Sequence, residues 1–438
     1  MISGLVAWLY SGLTVLAQPL LRLKLARRAR TEPAYGQAIE ERFGAYTQQP
    51  EPRSELLWIH AVSLGETRAA AILIAALREQ LPGVRLLLTH GTATGREQGQ
   101  ALLRPGDVQV WQPWDTPAAT ARFLKHFRPR LGVLMETEVW PNLLAQAQMH
   151  SVPVVLANAR MSETSLRRAL RLSALARPAY CALSAVLAQT EDDAQRLRLL
   201  GAPVRAVLGN LKFDATPDAR QCALGQQARS ALVRPVLMLA SSREGEEALL
   251  LRALAGLPRP WPFELLIVAR HPQRFSQVAE LIESQGYAVS RRSQWGADIS
   301  AWPPPAGSVW LGDSLGEMAL YCSLADLALL GGSFERLGGQ NLIEAAACGC
   351  PVIMGPHTFN FSEAAEQARQ EQAAARVDDM QQALQLALER FARDDQGAGS
   401  QAARAFAQRH RGAALASASA IRAIWDSAAS AAAPELRA

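Results

Sequence analysis

Leu56-Leu57-Trp58-Ile59-His60-Ala61-Val62 runs directly into Ser63-Leu64-Gly65-Glu66 and then into Thr67-Arg68-Ala69-Ala70-Ala71-Ile72-Leu73-Ile74. The first stretch is an unbroken apolar run of strand length, and the last begins an apolar helical pattern. Ser63 and Gly65 stand where a strand-to-helix turn needs a cap and a permissive backbone. Glu66 therefore falls at the carboxyl edge of a strand and in the first turn of a helix, the edge where open α/β sheets bind ligands. The helix dipole and the free amides there are expected to keep its carboxylate ionised, which suits a base better than an acid. The plainer reading is a glutamate that only stabilises its own helix start, and this stretch taken alone favours it.

The same alternation extends in both directions. Strand-like runs at 84–89, 108–111, 131–135, 152–157, 185–188 and 204–207 are separated by helical patterns at 67–80, 116–127 and 192–200. After Asn210 the pattern restarts, with strands at 236–240, 265–268, 309–311, 327–330 and 352–354. Helices are expected there at 246–254, 275–285, 315–323, 342–347 and 362–370. Such alternation predicts parallel sheets wrapped by helices. The fold class is α/β, with two doubly wound Rossmann-like domains facing across a cleft. The break lies between Gly209 and about Gln221, where Lys212-Phe213-Asp214-Ala215-Thr216-Pro217 reads as a linker. The expected domains are 31–212 and 213–425, preceded by a membrane anchor and its basic flank at 1–30 and followed by an Ala-rich tail at 426–438.

Composition narrows the function. The 438 residues suit two or three domains, and 49% hydrophobic content provides large cores. The five cysteines, Cys181, Cys222, Cys322, Cys348 and Cys350, form no Cys-x-x-Cys pair. A disulfide framework and a structural zinc site are thereby disfavoured, and a reducing cytosolic compartment is expected. Ile2 to Leu21 carry no charge, and Arg22, Lys24, Arg27, Arg28 and Arg30 follow. With those five set aside, the 45 basic residues become 40 against 40 acidic ones. The basic excess thus belongs to one apolar segment, which argues for anionic lipids and against nucleic acid as the partner. Charges after the apolar run, rather than before it, fit an anchor with the body of the protein in the cytoplasm. The alternative is a buried first helix. Whether the segment spans the bilayer or lies in its interface stays open at this level.

Four loops of the second half suit a nucleotide: Arg270-His271-Pro272, Gly312-Asp313-Ser314-Leu315-Gly316-Glu317, Gly331-Gly332-Ser333-Phe334 and Gly338-Gly339-Gln340-Asn341. Glycines at helix starts let backbone amides approach an anion. Glu344, one turn further on, could accept from ribose hydroxyls. Singly, such glycines are usually turns. In the first half Glu136 and Glu138 follow a strand in Met135-Glu136-Thr137-Glu138-Val139-Trp140-Pro141-Asn142. Thr89-His90-Gly91-Thr92-Ala93-Thr94-Gly95 has hydroxyls and glycines suited to anions, and Asn158-Ala159-Arg160 ends another strand. There is no Walker A motif, no Gly-x-Gly-x-x-Gly after a first strand and no metal-spaced histidine cluster, so ATPase, dehydrogenase and metalloenzyme readings are poor. His60, inside a strand, reads as a satisfied structural residue.

In this order the motifs resemble the Kdo transferases of lipopolysaccharide synthesis. The stretches that carry the likeness are His60-Ala-Val-Ser-Leu-Gly-Glu66, Thr92-Ala-Thr-Gly95, Met135-Glu-Thr-Glu-Val-Trp-Pro-Asn142, Asn158-Ala-Arg160, Gly209-Asn-Leu-Lys-Phe-Asp214, Arg270-His-Pro-Gln-Arg-Phe275, Gly312-Asp-Ser-Leu-Gly-Glu317 and Gly338-Gly-Gln-Asn341. The resemblance implies a GT-B glycosyltransferase on the cytoplasmic face of the inner membrane. It would move 3-deoxy-D-manno-octulosonic acid (Kdo) from CMP-Kdo to a lipid A precursor, lipid IV-A, with inversion and without a bound metal or cofactor. Glu66 matches the family's general base, while Glu136 and Lys212 match positions that support the transition state. Ala269 and Arg270, Leu315, Gly316 and Glu317, and Asn341, Leu342, Ile343 and Glu344 match the segments that contact CMP. The chain departs from the family pattern at Gln340 and Arg243, each standing where His is common, and at Leu342-Ile343-Glu344-Ala345, where Pro-Leu-Glu-Pro is usual. Two rival readings are another sugar-nucleotide GT-B enzyme and a catalytically inactive, membrane-bound nucleotide-binding scaffold.

Overall fold

The computed structural model describes residues 2–50, 55–296, 302–393 and 396–432. Its contacts divide the chain into two units, one running through Asp214 and resuming from Arg411, the other spanning Ala215–His410.

The first unit holds a parallel sheet of seven strands: β1 Leu56–His60, β2 Arg85–His90, β3 Val108–Trp111, β4 Leu131–Met135, β5 Val154–Ala159, β6 Ala185–Ala188 and β7 Val204–Val207. Their spatial order is β3-β2-β1-β4-β5-β6-β7. All residues of β1 and β4 are buried, as central strands covered on both faces must be, which is why they read as continuous apolar runs. The chain winds outward from β1 to β3 and then returns beside β1 as β4. That reversal opens a crevice at the carboxyl ends of β1 and β4, where the sequence places Val62–Glu66 and Glu136–Trp140.

The second unit repeats the plan with β8 Val236–Ser242, β9 Glu264–Ala269, β10 Val289–Arg291, β11 Val309–Gly312, β12 Leu327–Leu330, β13 Val352–Met354 and β14 Ala374–Arg376. The order is β10-β11-β9-β8-β12-β13-β14. Here the winding reverses between β8 and β12. The edge strands β10 and β14 are not foreseen in the sequence, being three residues long and carrying Arg and Ser or Arg and Ala. The expected helix at 315–323 starts later, as Met318–Leu324, because Gly316 is in the left-handed region at φ +77°.

The C-terminal stretch is a correction. The helix Ala413–Ala432 continues past Asp426, so the expected tail does not hold through Ala432, and 433–438 lie outside the described residues. That helix also ends the second domain at His410 rather than 425, because it belongs to the first unit. Ala414, Ala418, Ile421 and Trp425 recur at helical spacing and are buried with Leu73 and Leu77 of the helix Leu64–Gln80. Gln80 Nε2 donates to Ser419 Oγ at 2.9 Å, and Arg130 Nη2 donates to the Trp425 carbonyl at 2.8 Å. Asp214, expected in a linker, accepts from the amides of Gly412 and Ala414 at the start of this helix.

At the other end of the chain, helices Ile2–Leu16 and Gln18–Ala29 meet at a 45° bend, with Pro19 just beyond it. Among the described residues no single helix is long and apolar enough to cross a membrane, although this bent pair passes together by length and composition. The first helix is held by Tyr10, whose hydroxyl donates to Asp115 at 2.8 Å, and by Ser11, which donates to Asn142 Oδ1 at 2.7 Å. Its other side leaves Leu5, Trp8, Leu9, Leu13 and Leu16 in the open, with Trp8 72% and Leu16 76% exposed.

Candidate active site

Ser63 leaves β1 in extended conformation and caps the helix Leu64–Gln80, its Oγ accepting from the Glu66 amide at 3.4 Å. The Glu66 carboxylate hooks back over the same turn. Its Oε2 accepts from the Val62 amide at 2.7 Å, and its Oε1 accepts from Ser63 Oγ at 3.3 Å. This reciprocal arrangement satisfies donors that a helix start leaves orphaned, so the plainer reading of Glu66 is met in full. The expectation of a firmly ionised carboxylate is not. Burial pushes the Glu66 carboxyl from 4.5 up to about 7; the Val62 amide opposes this, and the nearby charges of Glu138 and Glu136 add to it. Desolvation and like charge outweigh the helix start here, and the result is a group that exchanges a proton near neutrality.

The second arm of the crevice follows β4. Glu136 is buried, with its backbone at φ +56°, and Lys212 Nζ donates to its Oε1 at 3.2 Å. Glu138 Oε2 accepts from Trp140 Nε1 at 2.9 Å, and burial raises its pKa. Glu66 and Glu136 thus share one sheet edge, as the sequence predicts, and Lys212, expected in a linker, is paired with Glu136 there. Lys212 is delivered there by a residue whose sequence context does not single it out for that task. Asn158, buried at the end of β5 with φ +52°, accepts the Leu211 amide on its Oδ1 at 3.1 Å. The available signal was the co-occurrence of Asn158-Ala-Arg160 and Gly209–Asp214, but neither motif states that the two touch.

The Thr89–Gly95 loop is a brace rather than an anion cup. Thr92 Oγ1 donates to the Val62 carbonyl at 2.9 Å and accepts from the Gly95 amide at 3.2 Å, so its hydroxyl is occupied in holding the Glu66 turn. His60 and His90 lie beneath, both buried, with pKa values pushed down to about 3 and about 4 by burial. They are neutral at physiological pH. His60 Nδ1 is 3.1 Å from the Thr89 carbonyl, but its Nε2 lacks a hydrogen-bond partner and lies 3.9 Å from Glu138. The histidine is structural, though only half satisfied.

In the second unit the loops after β8, β9, β11 and β12 share one edge. Glu246, fully buried, accepts from the amides of Arg243 at 2.9 Å, Gly332 at 2.7 Å and Phe334 at 3.1 Å, tying the two loops at the reversal together. Gly331 has to be glycine, since a Cβ there would lie 2.3 Å from the Ser241 carbonyl oxygen. Glu247 takes a bidentate bond from Arg274, 2.9 Å on each oxygen, and a 2.6 Å bond from Ser242. These supports were not foreseen, because paired glutamates at a helix start look like ordinary capping.

The CMP-matching residues separate by burial. Ala269, Leu342 and Ile343 are buried. Arg270, Leu315 and Gly316 are exposed. The Glu317 carboxylate is engaged by Arg292 at 2.8 Å and by Ser314, so this loop offers amides more readily than charge. Asn341 caps the helix Leu342–Ala347 by accepting from the Ile343 amide at 3.1 Å, and Glu344 lies half-buried in its first turn. His271 is held below its usual pKa by partial burial and by the surrounding Arg243, Arg270 and Arg274, with Glu244 opposing. Among the described residues no group of three His, Cys, Asp or Glu side chains is arranged to hold a metal ion.

The chain is similar to several known proteins. A family model described as 3-Deoxy-D-manno-octulosonic-acid transferase (kdotransferase) matches residues 37–215. The chain is 46% identical over 402 residues to a 3-deoxy-D-manno-octulosonic acid transferase of Bordetella pertussis, covering 88% of this chain and 92% of that one. It is 33% identical over 385 residues to the protein of that name from Haemophilus influenzae, covering 87% and 89%. Among solved structures, a glycosyltransferase from Rickettsia africae aligns over 85% of this chain and 98% of its own, with TM-score 0.55 at 13% identity. A UDP-GlcNAc 2-epimerase from Neisseria meningitidis aligns over 84% and 98%, with TM-score 0.54 at 16% identity. These two likenesses concern the two-domain GT-B fold alone.

Proposed function

This chain belongs to the Kdo transferase family, and we propose that it moves Kdo from CMP-Kdo to lipid IV-A in lipopolysaccharide synthesis, with Glu66 as the general base. The acceptor sugar hydroxyl attacks the anomeric carbon of Kdo from the face opposite the phosphate. The new C–O bond forms as the bond to the phosphate breaks. The bonding electrons leave on CMP, and the hydroxyl proton passes to Glu66 and then to solvent. One displacement inverts the anomeric configuration. The observation that carries this reading is the Glu66 carboxyl poised at about 7 beside the Glu136–Lys212 pair. A base with a pKa near the working pH is both ionised often enough and basic enough to act, and a positioned one contributes about 10²–10⁴-fold. Lys212 supplies positive charge for the departing phosphate or the Kdo carboxylate. Ala269 and Arg270, the amides of Leu315, Gly316 and Glu317, and the segment Asn341–Glu344 hold the nucleotide. The arginines and helix starts on that edge supply the countercharge, so the reaction is proposed to run without a metal.

The protein is proposed to sit on the cytoplasmic face of the inner membrane, with its first helix lying in the lipid interface. Support comes from the exposed stripe of Leu5, Trp8, Leu9, Leu13 and Leu16 and from the bend after it. Tyr10 and Ser11 fix that helix to Asp115 and Asn142; Asn142 closes the motif that carries Glu136 and Glu138, which would bring a lipid acceptor close to the base. Of the five basic residues, Arg22 pairs with Glu40 and Arg28 with Glu32, while Lys24, Arg27 and Arg30 are exposed and suited to anionic headgroups.

The test is transfer by purified protein from CMP-Kdo to tetraacylated lipid A precursor, with and without EDTA, beside Glu66→Gln. Transfer that survives EDTA and collapses in the variant, with CMP binding intact, is the expected result. Undiminished transfer by Glu66→Gln would remove Glu66 as the base and turn attention to Glu136 or Glu138. Absence of transfer by the native protein would refute the acceptor assignment.

A further inference from the structure

The short 3₁₀ helix Leu211–Asp214 joins two parts of the first unit that are far apart in sequence. The chain leaves that unit after Asp214 and re-enters it at Arg411. Asp214 ties the exit to the entry. Its Oδ1 accepts from the Gly412 amide at 2.5 Å, and its Oδ2 accepts from the Ala414 amide at 2.6 Å. Both carboxylate oxygens are thus engaged at the start of the helix Ala413–Ala432, where backbone amides have no partner within the helix. Gly412, in the left-handed region at φ +105°, turns the chain into that helix.

The same turn carries Lys212, whose Nζ donates to Glu136 Oε1 at 3.2 Å. Its amino end is fixed by Asn210, whose Oδ1 accepts the Lys212 amide at 3.0 Å, and by Asn158, which accepts the Leu211 amide. Its carboxyl end is fixed by Asp214. Leu211 is fully buried in one cluster with Ala413, Ala414, Ala418 and Ile421 of the last helix and with Leu73 and Leu77 of the helix whose first turn holds Glu66. Phe213 is buried as well. A single 3₁₀ turn has poor internal hydrogen bonding and little rigidity of its own. The place of Lys212 is therefore set by what holds its neighbours, and Asp214 makes that hold depend on the far end of the chain.

We propose that Asp214 is a positioning residue for transfer: by anchoring its turn to the last helix, it keeps Lys212 against Glu136. The inference rests on the role proposed for Lys212. Without the two bonds from Gly412 and Ala414, the carboxyl end of the turn loses these ties, and the Lys212 ammonium is free to drift on its four-carbon stem. A displacement of about 1 Å in such a group costs up to about 10²-fold in rate. The segments assigned to the donor lie within residues 215–410. Neither bond touches them, so the loss falls on the chemical step and not on nucleotide affinity.

The experiment measures transfer by the full-length protein from CMP-Kdo to tetraacylated lipid A precursor, with CMP affinity from calorimetry. Asp214→Ala and Asp214→Asn are each made in the native chain and in Lys212→Met. The expected result for Asp214→Ala is a kcat lower by about 10–10²-fold, with native CMP affinity and the native rise of kcat/KM between pH 6 and pH 8. Asp214→Asn keeps one accepting oxygen and should lose less. In the residual transfer of Lys212→Met neither substitution should lower kcat further, because the group they displace is already gone. An equal loss in both backgrounds would mean a general loosening that also reaches the Glu66 helix, and it would overturn the proposal. Native kcat in Asp214→Ala would overturn it too. Should Asp214→Ala fail to fold, the two Asp214→Asn chains decide by the same comparison. Undiminished transfer by Lys212→Met would instead overturn the role of Lys212, and the positioning with it.

Discussion

Replacing Glu66 by Gln should abolish transfer and stabilise the protein, and the second effect has a pH dependence fixed by the structure. The carboxyl is raised from 4.5 to about 7, chiefly by burial. The folded chain therefore binds this proton more tightly than the unfolded chain does. Below pH 4.5 both states are protonated and the site has no effect on stability. Between 4.5 and 7 the unfolded state ionises first, so stability falls as pH rises. Above 7 the penalty is complete, at about 3 kcal/mol. Gln keeps an oxygen to accept the Val62 amide and carries no charge, so it escapes most of that penalty. Urea titrations of native and Glu66→Gln protein should coincide near pH 4.5 and separate by up to about 3 kcal/mol at pH 8, with the variant the more stable. Over the same range native kcat/KM should rise about tenfold from pH 6 to pH 8, as the ionised fraction grows from about a tenth to about nine-tenths. The variant should lose about 10²–10⁴-fold and show no such rise. A variant less stable than native at pH 8, or a stability gap that does not change with pH, would refute the desolvation argument even if activity were lost.

Neighbouring contacts give three further expected outcomes. Asn158→Gly keeps the left-handed backbone but removes the acceptor for the Leu211 amide, so it should cost about 1–3 kcal/mol in a urea titration and lower kcat through Lys212, leaving the Glu66 pH limb in place. Lys212→Met should leave Glu136 buried without its cation and destabilise by about 1–3 kcal/mol; adding Glu136→Gln should restore stability in the same titration but not transfer. In flotation with anionic vesicles, Leu13→Asp together with Leu16→Asp should abolish membrane binding without changing the far-ultraviolet circular dichroism, because both side chains are exposed in the folded protein.

Much of this molecule was legible in its sequence where one physical effect dominates. Buried parallel strands announce themselves as apolar runs, so β1 and β4 were found, and the turn after each placed Glu66 and Glu136 at the crevice. Short edge strands such as Ala374–Arg376 carry too few apolar residues to stand out. The final helix was misread because alanine-rich sequence resembles a tail, although the spacing of Ala414, Ala418, Ile421 and Trp425 does mark a buried face. The charge state of Glu66 was misjudged for a different reason. A helix start and its amides are visible in sequence, whereas desolvation and the approach of Glu138 depend on the folded crevice and outweigh them. Asn158 was opaque for the same reason, since its contact with the Leu211 amide joins residues 53 positions apart.

The two sheets share a plan, yet their edges are prepared for opposite tasks, and the difference lies in how each disposes of its carboxylates. At the second edge Glu246 is consumed by three backbone amides, Glu247 by Arg274 and Ser242, and Glu317 by Arg292 and Ser314. Those charges are thereby compensated. Burial lowers the His271 pKa, and Arg243, Arg270 and Arg274 lower it further, with Glu244 opposing. An anion such as a nucleotide phosphate is at home beside those arginines. At the first edge Glu66, Glu136 and Glu138 are gathered with Lys212 as the cation paired to one of them. Repulsion and burial there raise the proton affinity of Glu66 instead of cancelling its charge. A protein that only held a nucleotide would have no use for a crowded, partly desolvated carboxylate cluster, whose cost falls on stability. That cost is the physical argument for group transfer over a binding scaffold, and the opposite pH trends of stability and turnover in native protein are where it is most directly exposed to test.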